Sequence, residues 1–152
     1  MQTSVSFSVE AQLAIKLLGL LESEQSVLLS SKVDAMEKLL EDKFQLLNEL
    51  SSNTQKRYQM LAGKGYDANE TGMKKWLAEQ NETSLLMAWS GFQETLSRSK
   101  ETNRVNGILV TKQFNRNQQM LSALQGSTNG GGIYGPNGQA ANSSSMRNGL
   151  MV

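Results

Sequence analysis

The chain carries a single proline, Pro136, and no glycine between residues 20 and 62, so nothing interrupts a helix over most of its first third. Ser8 is suited to cap the start of that helix, with Glu10 in its first turn, and Gly63 is suited to end it. At about 1.5 Å per residue, a helix of about 55 residues would be roughly 80 Å long. The sequence therefore predicts one long rod in this region.

Apolar residues along the predicted rod recur in alternating steps of three and four, which is typical of a coiled coil. The repeat consists of Leu13, Leu17 and Leu20, followed by Leu29, Val33, Met36, Leu40, Phe44, Leu47 and Leu50. The stripe changes register between Leu20 and Leu29, at Glu24 and the apolar cluster that begins at Val27. We therefore expect an irregular bundle seam with a local change of twist, rather than a strict heptad.

A turn is predicted at residues 63–69, where Asp67 and Glu70 resemble a capping box that starts a second helical arm. The aromatic residues Trp76, Trp89 and Phe92 stand at helical spacing in this arm, and we assign them first to the core. The apolar pattern of the arm includes Leu77, Leu85, Leu86 and Leu96.

The apolar pattern lapses at residues 102–107, which predicts a bend or a short break before a third helix. That third helix is predicted to end at Gly126. Its seam positions are Val110, Phe114, Asn117, Leu121 and Leu124. The predicted fold is therefore all-α: a long antiparallel helical hairpin or coiled coil of two to three helices, with residues 1–126 as the helical domain.

Two slender helical arms bury little apolar surface by themselves, so some of the seam is expected to stay open for another chain or a second copy. Asn117 costs stability at a seam position, but it can set the register of a helix interface. Methionines such as Met120 either adapt a surface to several apolar partners or fill gaps in a core.

The composition changes after Gly126, because 15 of the last 27 residues are Gly, Asn or Ser and Arg147 is the only charge. Ordering such a segment costs more conformational entropy than its few apolar side chains return, so residues 127–152 are expected to form a disordered tail. The tail contains a GxGxxG pattern at residues 130–135, which no strand precedes and no helix follows, so it is not read as a dinucleotide site. Ile133 and Tyr134, which lie within this pattern, suit either a short recognition motif or an inert linker.

The chain has no cysteine and no histidine, which excludes thiolate nucleophiles, histidine relays and the usual zinc sites. Its carboxylates are scattered over helix faces, so acid–base catalysis has no candidate pair, and neither enzymatic activity nor a cofactor is expected. The net charge of +1 argues against a nucleic-acid partner. No signal or membrane-spanning segment is recognised, so an intracellular protein is expected.

Three elements in order resemble the FlgN family of flagellar export chaperones. They are Asn103-x-x-Asn106-Gly107-Ile108-Leu109, Arg116-Asn117-Gln118-Gln119-x-Leu121-x-x-Leu124 and Ile133-Tyr134-Gly135-Pro136-Asn137-Gly138. The first helix, with Leu17-Leu18-Gly19-Leu20-Leu21-Glu22 and Arg57 near its end, looks like the opening helix of the same family. The resemblance spans most of the chain.

The resemblance implies a cytoplasmic chaperone of the bacterial flagellar type III export system that binds the hook-associated junction proteins FlgK and FlgL through their terminal helices. By resemblance, the client-binding residues are expected to be Val110, Phe114, Asn117, Met120, Leu121 and Leu124. Docking on the export gate is expected to involve Ile133, Tyr134, Gly135 and Pro136. The alternative is a structural coiled-coil protein that self-associates through its own apolar seam.

Overall fold

The computed structural model describes residues 4–30 and 33–128 of the chain. Four α-helices account for most of them: α1 spans Ser8–Ser30, α2 spans Met36–Gly63, α3 spans Glu70–Gln80 and α4 spans Thr83–Thr128. A short 3-10 helix at Val33–Ala35 precedes α2. The predicted all-α class is confirmed, although the described residues form four helices rather than two to three, and they include no strand.

The chain divides into two compact units, Met1–Val110 and Thr111–Val152. The first unit holds α1, α2, α3 and the beginning of α4. The described part of the second unit is the end of α4, as far as Thr128. The prediction that a disordered tail begins at residue 127 stays a prediction, because residues 129–152 lie outside the described residues and α4 extends two residues past Gly126.

The single long helix predicted for the first third is wrong, because α1 ends at Ser30 and α2 folds back along it. Two polar contacts show the antiparallel pairing: Arg57 Nε lies 2.8 Å from Glu10 Oε1, and Lys43 Nζ lies 3.4 Å from Glu24 Oε2. The hydroxyl of Ser30 donates to the carbonyl of Val27 at 3.2 Å, a local bond that competes with the helical ladder.

The fold-back has a clear physical gain, because it covers the apolar side of α1. Leu13, Leu17, Leu21 and Leu28 are all buried in the folded chain, whereas an isolated rod would leave them in water. The change of register noted between Leu20 and Leu29 thus comes just before the end of α1. A helix can therefore end without glycine or proline when the fold-back that follows it buries apolar side chains.

The turn predicted at residues 63–69 is present, but its capping residues differ from the prediction. Asn69, rather than Asp67, caps α3, and its side-chain oxygen accepts a hydrogen bond from the backbone N–H of Gly72 at 2.9 Å. Gly65 takes the left-handed conformation after α2, with φ of 87°. The backbone N–H of Tyr66 then closes the turn by donating to the carbonyl of Leu61 at 2.9 Å.

The second arm breaks at a different place from the one expected. Asn81 adopts the left-handed conformation with φ of 50° and separates α3 from α4, whereas α4 runs without a break through residues 102–107. The predicted bend there is wrong because the lapse in the apolar pattern reflects polar packing. Asn106, which lies within the lapse, is buried and hydrogen-bonded to α1.

The core of the first unit lies where the N-terminal segment, α1, α2, α3 and α4 meet. Its buried members are Val5, Phe7, Ala14, Leu61, Met73, Trp76, Leu77 and Phe92. The ring of Phe7 meets that of Trp89 edge-on at 5.0 Å, and Trp89 meets Phe92 edge-on at 5.4 Å. The assignment of the aromatic residues to the core is therefore confirmed, with Trp89 half-buried.

Candidate functional site

The residues predicted to bind a client all lie on α4, and none of them is buried. In the second unit they define the surface that we call the C-terminal α4 face, which consists of Phe114, Asn117, Met120, Leu121 and Leu124. The exposed fraction of its apolar side chains ranges from 43% at Phe114 to 59% at Leu124. With 3.6 residues per turn, the five positions span about 120° of the helix circumference. The predicted seam therefore stands largely open to solvent.

Val110, the sixth predicted residue, is the last residue of the first unit, and its side chain is 52% exposed. The four residues expected to dock on the export gate, Ile133, Tyr134, Gly135 and Pro136, lie outside the described residues. The structure therefore describes the residues predicted to bind a client, but not those predicted to dock on the export gate.

The charges on the end of α4 are all positive. Between residues 111 and 128 the sequence has two charged side chains, Lys112 and Arg116, and no Asp or Glu. Both basic residues are exposed. An acidic partner would therefore meet a favourable field on this part of the helix.

A second open apolar feature lies in the first unit, where α1, α2 and α4 leave a groove of about 240 Å³. We call it the leucine groove after the side chains that form most of its lining: Leu17, Leu21, Leu47, Leu50 and Leu96. Ser99, Asn103, Lys43 and Lys100 complete the lining. The sequence indicated that apolar surface would stay open, but it did not indicate this location.

A polar network joins the same three helices. The side-chain amide of Asn106 donates to the carbonyl of Leu21 and to the carboxylate of Glu24, each at 2.9 Å. Lys43 Nζ donates to the side-chain oxygen of Asn103 at 2.8 Å and also contacts Glu24. Asn103 and Asn106, which carry part of the family resemblance, therefore hold α4 to α1 and α2.

A buried ion-pair cluster holds the N-terminal end of α1 to the C-terminal half of α2. The Glu10 carboxylate accepts hydrogen bonds from Arg57 Nε at 2.8 Å, from Arg57 Nη2 at 3.2 Å and from the Thr54 hydroxyl at 3.0 Å. Arg57 Nη2 also donates to Glu70, at the start of α3, at 3.0 Å. The side chains of Glu10 and Arg57 are each 2% exposed, so the pair is removed from water.

Aromatic rings and hydrogen bonds stabilise the charge of Arg57. Its guanidinium carbon lies 5.1 Å from the ring centroids of both Tyr58 and Trp89. Burial lowers the pKa of Arg57, but the hydrogen bonds and charges of Glu10 and Glu70 outweigh it, so the pKa is raised. Burial, together with the hydrogen bond from the Tyr58 hydroxyl to Glu70, raises the pKa of Tyr58.

Sequence reasoning missed this cluster, since it assigned Glu10 to the first turn of a helix and Glu70 to a capping box. A signal was available at Arg57, which stands four residues before the fully buried Leu61. A charged side chain at such a position needs a buried partner. The chain offers many carboxylates, however, and the partner could not be chosen among them without the fold.

The described residues contain neither a cluster of metal-binding side chains nor a helix suited to span a membrane. No group of three or more acidic, histidine or cysteine side chains within residues 4–30 and 33–128 is placed to hold a metal ion. Among the helices of that same part of the chain, none combines the length and apolar character that crossing a membrane requires.

The fold and its open surfaces define an all-α protein whose apolar helix faces suit the binding of other helices. The sequence model of the FlgN protein family matches residues 2–142, so the chain belongs to the FlgN family. This is a family of flagellar export chaperones rather than of enzymes. No curated protein and no solved structure is found to match the chain.

Proposed function

We propose that this chain is a cytoplasmic chaperone of the flagellar type III export system that binds the junction proteins FlgK and FlgL. It covers their terminal helices, prevents their early assembly and delivers them to the export gate. The chain acts by binding and carries out no catalytic step. The observation that supports the binding step most directly is the open C-terminal α4 face in a member of the FlgN family.

The chemistry of the C-terminal α4 face suits a helical client. Proteins that assemble through amphipathic helices expose apolar stripes until assembly, and a second amphipathic helix can cover such a stripe. Each large apolar side chain contributes about 1.5 to 3 kcal/mol when it is fully covered. Covering side chains such as Phe114 and Leu121 therefore supplies binding energy, part of which offsets the loss of freedom on association.

The charges on this part of α4 favour acidic client segments. Lys112 and Arg116 attract carboxylates on the client, and no acidic side chain between residues 111 and 128 opposes them. The affinity should therefore fall as salt is added, because exposed charges are screened over about 10 Å at 0.1 M ionic strength. Delivery to the gate is assigned to the segment from Ile133 to Pro136, on the strength of the family resemblance.

The test mixes the full-length chain with C-terminal fragments of FlgK and FlgL and measures binding by titration calorimetry. We expect Leu121→Glu to weaken binding by about tenfold or more, because it places a charge where apolar area should be covered. Met87→Glu is the matched control, since Met87 also lies on α4, is 70% exposed and stands outside the face.

The outcomes separate the chaperone from the structural alternative. Equal binding by wild type and Leu121→Glu would show that the client does not bind to the C-terminal α4 face. Failure of the wild-type chain to bind either fragment, together with concentration-dependent polymers of the chain alone in sedimentation, would establish a self-associating coiled-coil protein instead.

A further inference from the structure

The leucine groove is distinct from the C-terminal α4 face, since the two share no residue. We propose that the groove is a docking site for an amphipathic helix of a partner protein, which inserts an apolar side chain and presents carboxylates on either side of it. This proposal does not rest on the proposed function, because the groove lies wholly in the first unit and is lined by its own set of residues.

The size of the groove suits a large apolar side chain. An apolar cavity of about 150 Å³ holds a benzene molecule. At about 240 Å³, the leucine groove has room for a leucine or phenylalanine side chain and for part of the helix that carries it.

An exposed apolar stripe on α2 extends the groove. Leu40, Phe44 and Leu47 follow one another at steps of four and three, and their side chains are 50%, 67% and 45% exposed. Leu47 belongs to both the stripe and the groove. Leu47 therefore connects the stripe to the groove, and apolar positions i, i+4 and i+7 are those by which a helix is received.

A buried hydroxyl in the lining lacks a hydrogen-bond partner. Ser99 is 4% exposed, and its Oγ makes no hydrogen bond with any described residue. The hydroxyls of Thr95 and Thr102, on the same helix, each donate to the carbonyl four residues earlier, at 3.0 and 2.9 Å. A buried polar group without a partner costs about 1 to 3 kcal/mol, so a shift of the lining that lets an occupant offer a donor or acceptor to Ser99 is favoured.

The charges of the lining select the sign of the occupant. Lys43 and Lys100 are the charged residues that line the groove, and no acidic side chain of the described chain does so. Lys43 already forms an ion pair with Glu24, whereas Lys100 forms no ion pair with any described residue. An occupant with carboxylates beside its apolar side chain therefore complements the groove.

The same charges argue against a second copy as the occupant. The open C-terminal α4 face of a second copy would bring Arg116, which stands next to that face on the helix, towards Lys43 and Lys100. Like charges brought together cost binding energy, so a different and acidic helix is the better fit.

The experiment uses two labelled synthetic helices that carry leucine on one face, with glutamate beside the leucines in one peptide and lysine in the other. Fluorescence anisotropy measures the binding of each peptide to the full-length chain. We expect the glutamate peptide to bind, Leu47→Glu to weaken it by about tenfold or more, and Met87→Glu to leave it unchanged. Because Lys100 is exposed, Lys100→Glu should fold normally, weaken the glutamate peptide and favour the lysine peptide.

Three results would overturn the proposal. The first is equal binding of the two peptides to the wild-type chain. The second is a loss with Leu121→Glu as large as that with Leu47→Glu, which would place the peptide on the C-terminal α4 face. The third is a dimer of the chain alone in sedimentation that Leu47→Glu converts to a monomer, which would make a second copy the occupant.

Discussion

Removing the carboxylate of Glu10 tests the buried ion pair, the feature of this fold that sequence reasoning missed. In the Glu10→Leu variant, Arg57 Nε loses its acceptor at 2.8 Å, Nη2 loses one of its two acceptors, and the Thr54 hydroxyl loses its partner. The guanidinium stays buried, at 2% exposed, beneath the rings of Tyr58 and Trp89.

The expected loss in the free energy of unfolding depends on the partners that Arg57 keeps in the Glu10→Leu variant. Removing one partner from a buried ion pair costs about 3 to 5 kcal/mol, because the other charge is left without compensation. Arg57 still donates to Glu70 at 3.0 Å, and the Glu70 side chain is half exposed, so the charge is compensated in part. We therefore expect a loss of about 3 kcal/mol, at the lower end of that range. For a chain of this length, that loss corresponds to a decrease in Tm of about 6 to 12 °C.

Urea unfolding followed by far-ultraviolet circular dichroism measures the change, and a double variant gives its cause. Arg57→Met alone leaves Glu10 buried and unpaired, whereas Glu10→Leu with Arg57→Met replaces both charges by apolar groups of similar size. The double variant should therefore be destabilised by much less than the sum of the two single variants. Glu101→Gln breaks an exposed ion pair with Arg104 and serves as the control, with no measurable change expected.

The reasoning is refuted by either of two results. One is an unchanged urea midpoint in Glu10→Leu. The other is additive losses in the double variant, because additivity would mean that the two side chains stabilise the fold independently rather than as a pair.

Two further predictions concern tyrosines. Tyr58 should titrate above the ordinary tyrosine pKa of about 10. Because the pKa of Tyr58 is raised in the folded state, the stability that this side chain contributes is fully present below its pKa in the unfolded chain. That stability is lost as the pH rises through the pKa of Tyr58 in the folded chain. Phenolate absorbance of wild type minus Tyr58→Phe measures the pKa, and an ordinary value contradicts the prediction. Tyr134→Ala should leave FlgK and FlgL binding intact in calorimetry while it reduces their export, and equal loss of both would place Tyr134 in the client site.

The helical character of the chain could be predicted from sequence because it depends on local rules. A lack of proline and interior glycine, together with apolar steps of three and four, indicates helix wherever it occurs. The turn after Gly63 was equally local, since Gly65 supplies the positive φ that it needs. The same rules misplaced two breaks: they extended α1 past Ser30, and they predicted a bend at residues 102–107 instead of at Asn81.

Of the two candidate surfaces, the C-terminal α4 face could be predicted from sequence and the leucine groove could not. Helical spacing placed Phe114, Leu121 and Leu124 on one side of a helix, and the structure shows that side open. Spacing could not show that Leu17 and Leu21 on α1 would meet Leu96 on α4 around a groove, because that meeting depends on how α1 and α2 fold together.

The sequence by itself determined that this chain is all-α and that it belongs to the FlgN family, because helix propensity, apolar periodicity and ordered motifs are written in neighbouring residues. The tertiary structure alone decided where the first helix folds back, which carboxylates pair with Arg57, and which leucines surround an open groove. Those outcomes depend on burial and pairing between residues far apart in the chain, such as Glu10 and Arg57, and such energies exist only once the chain has brought the residues together.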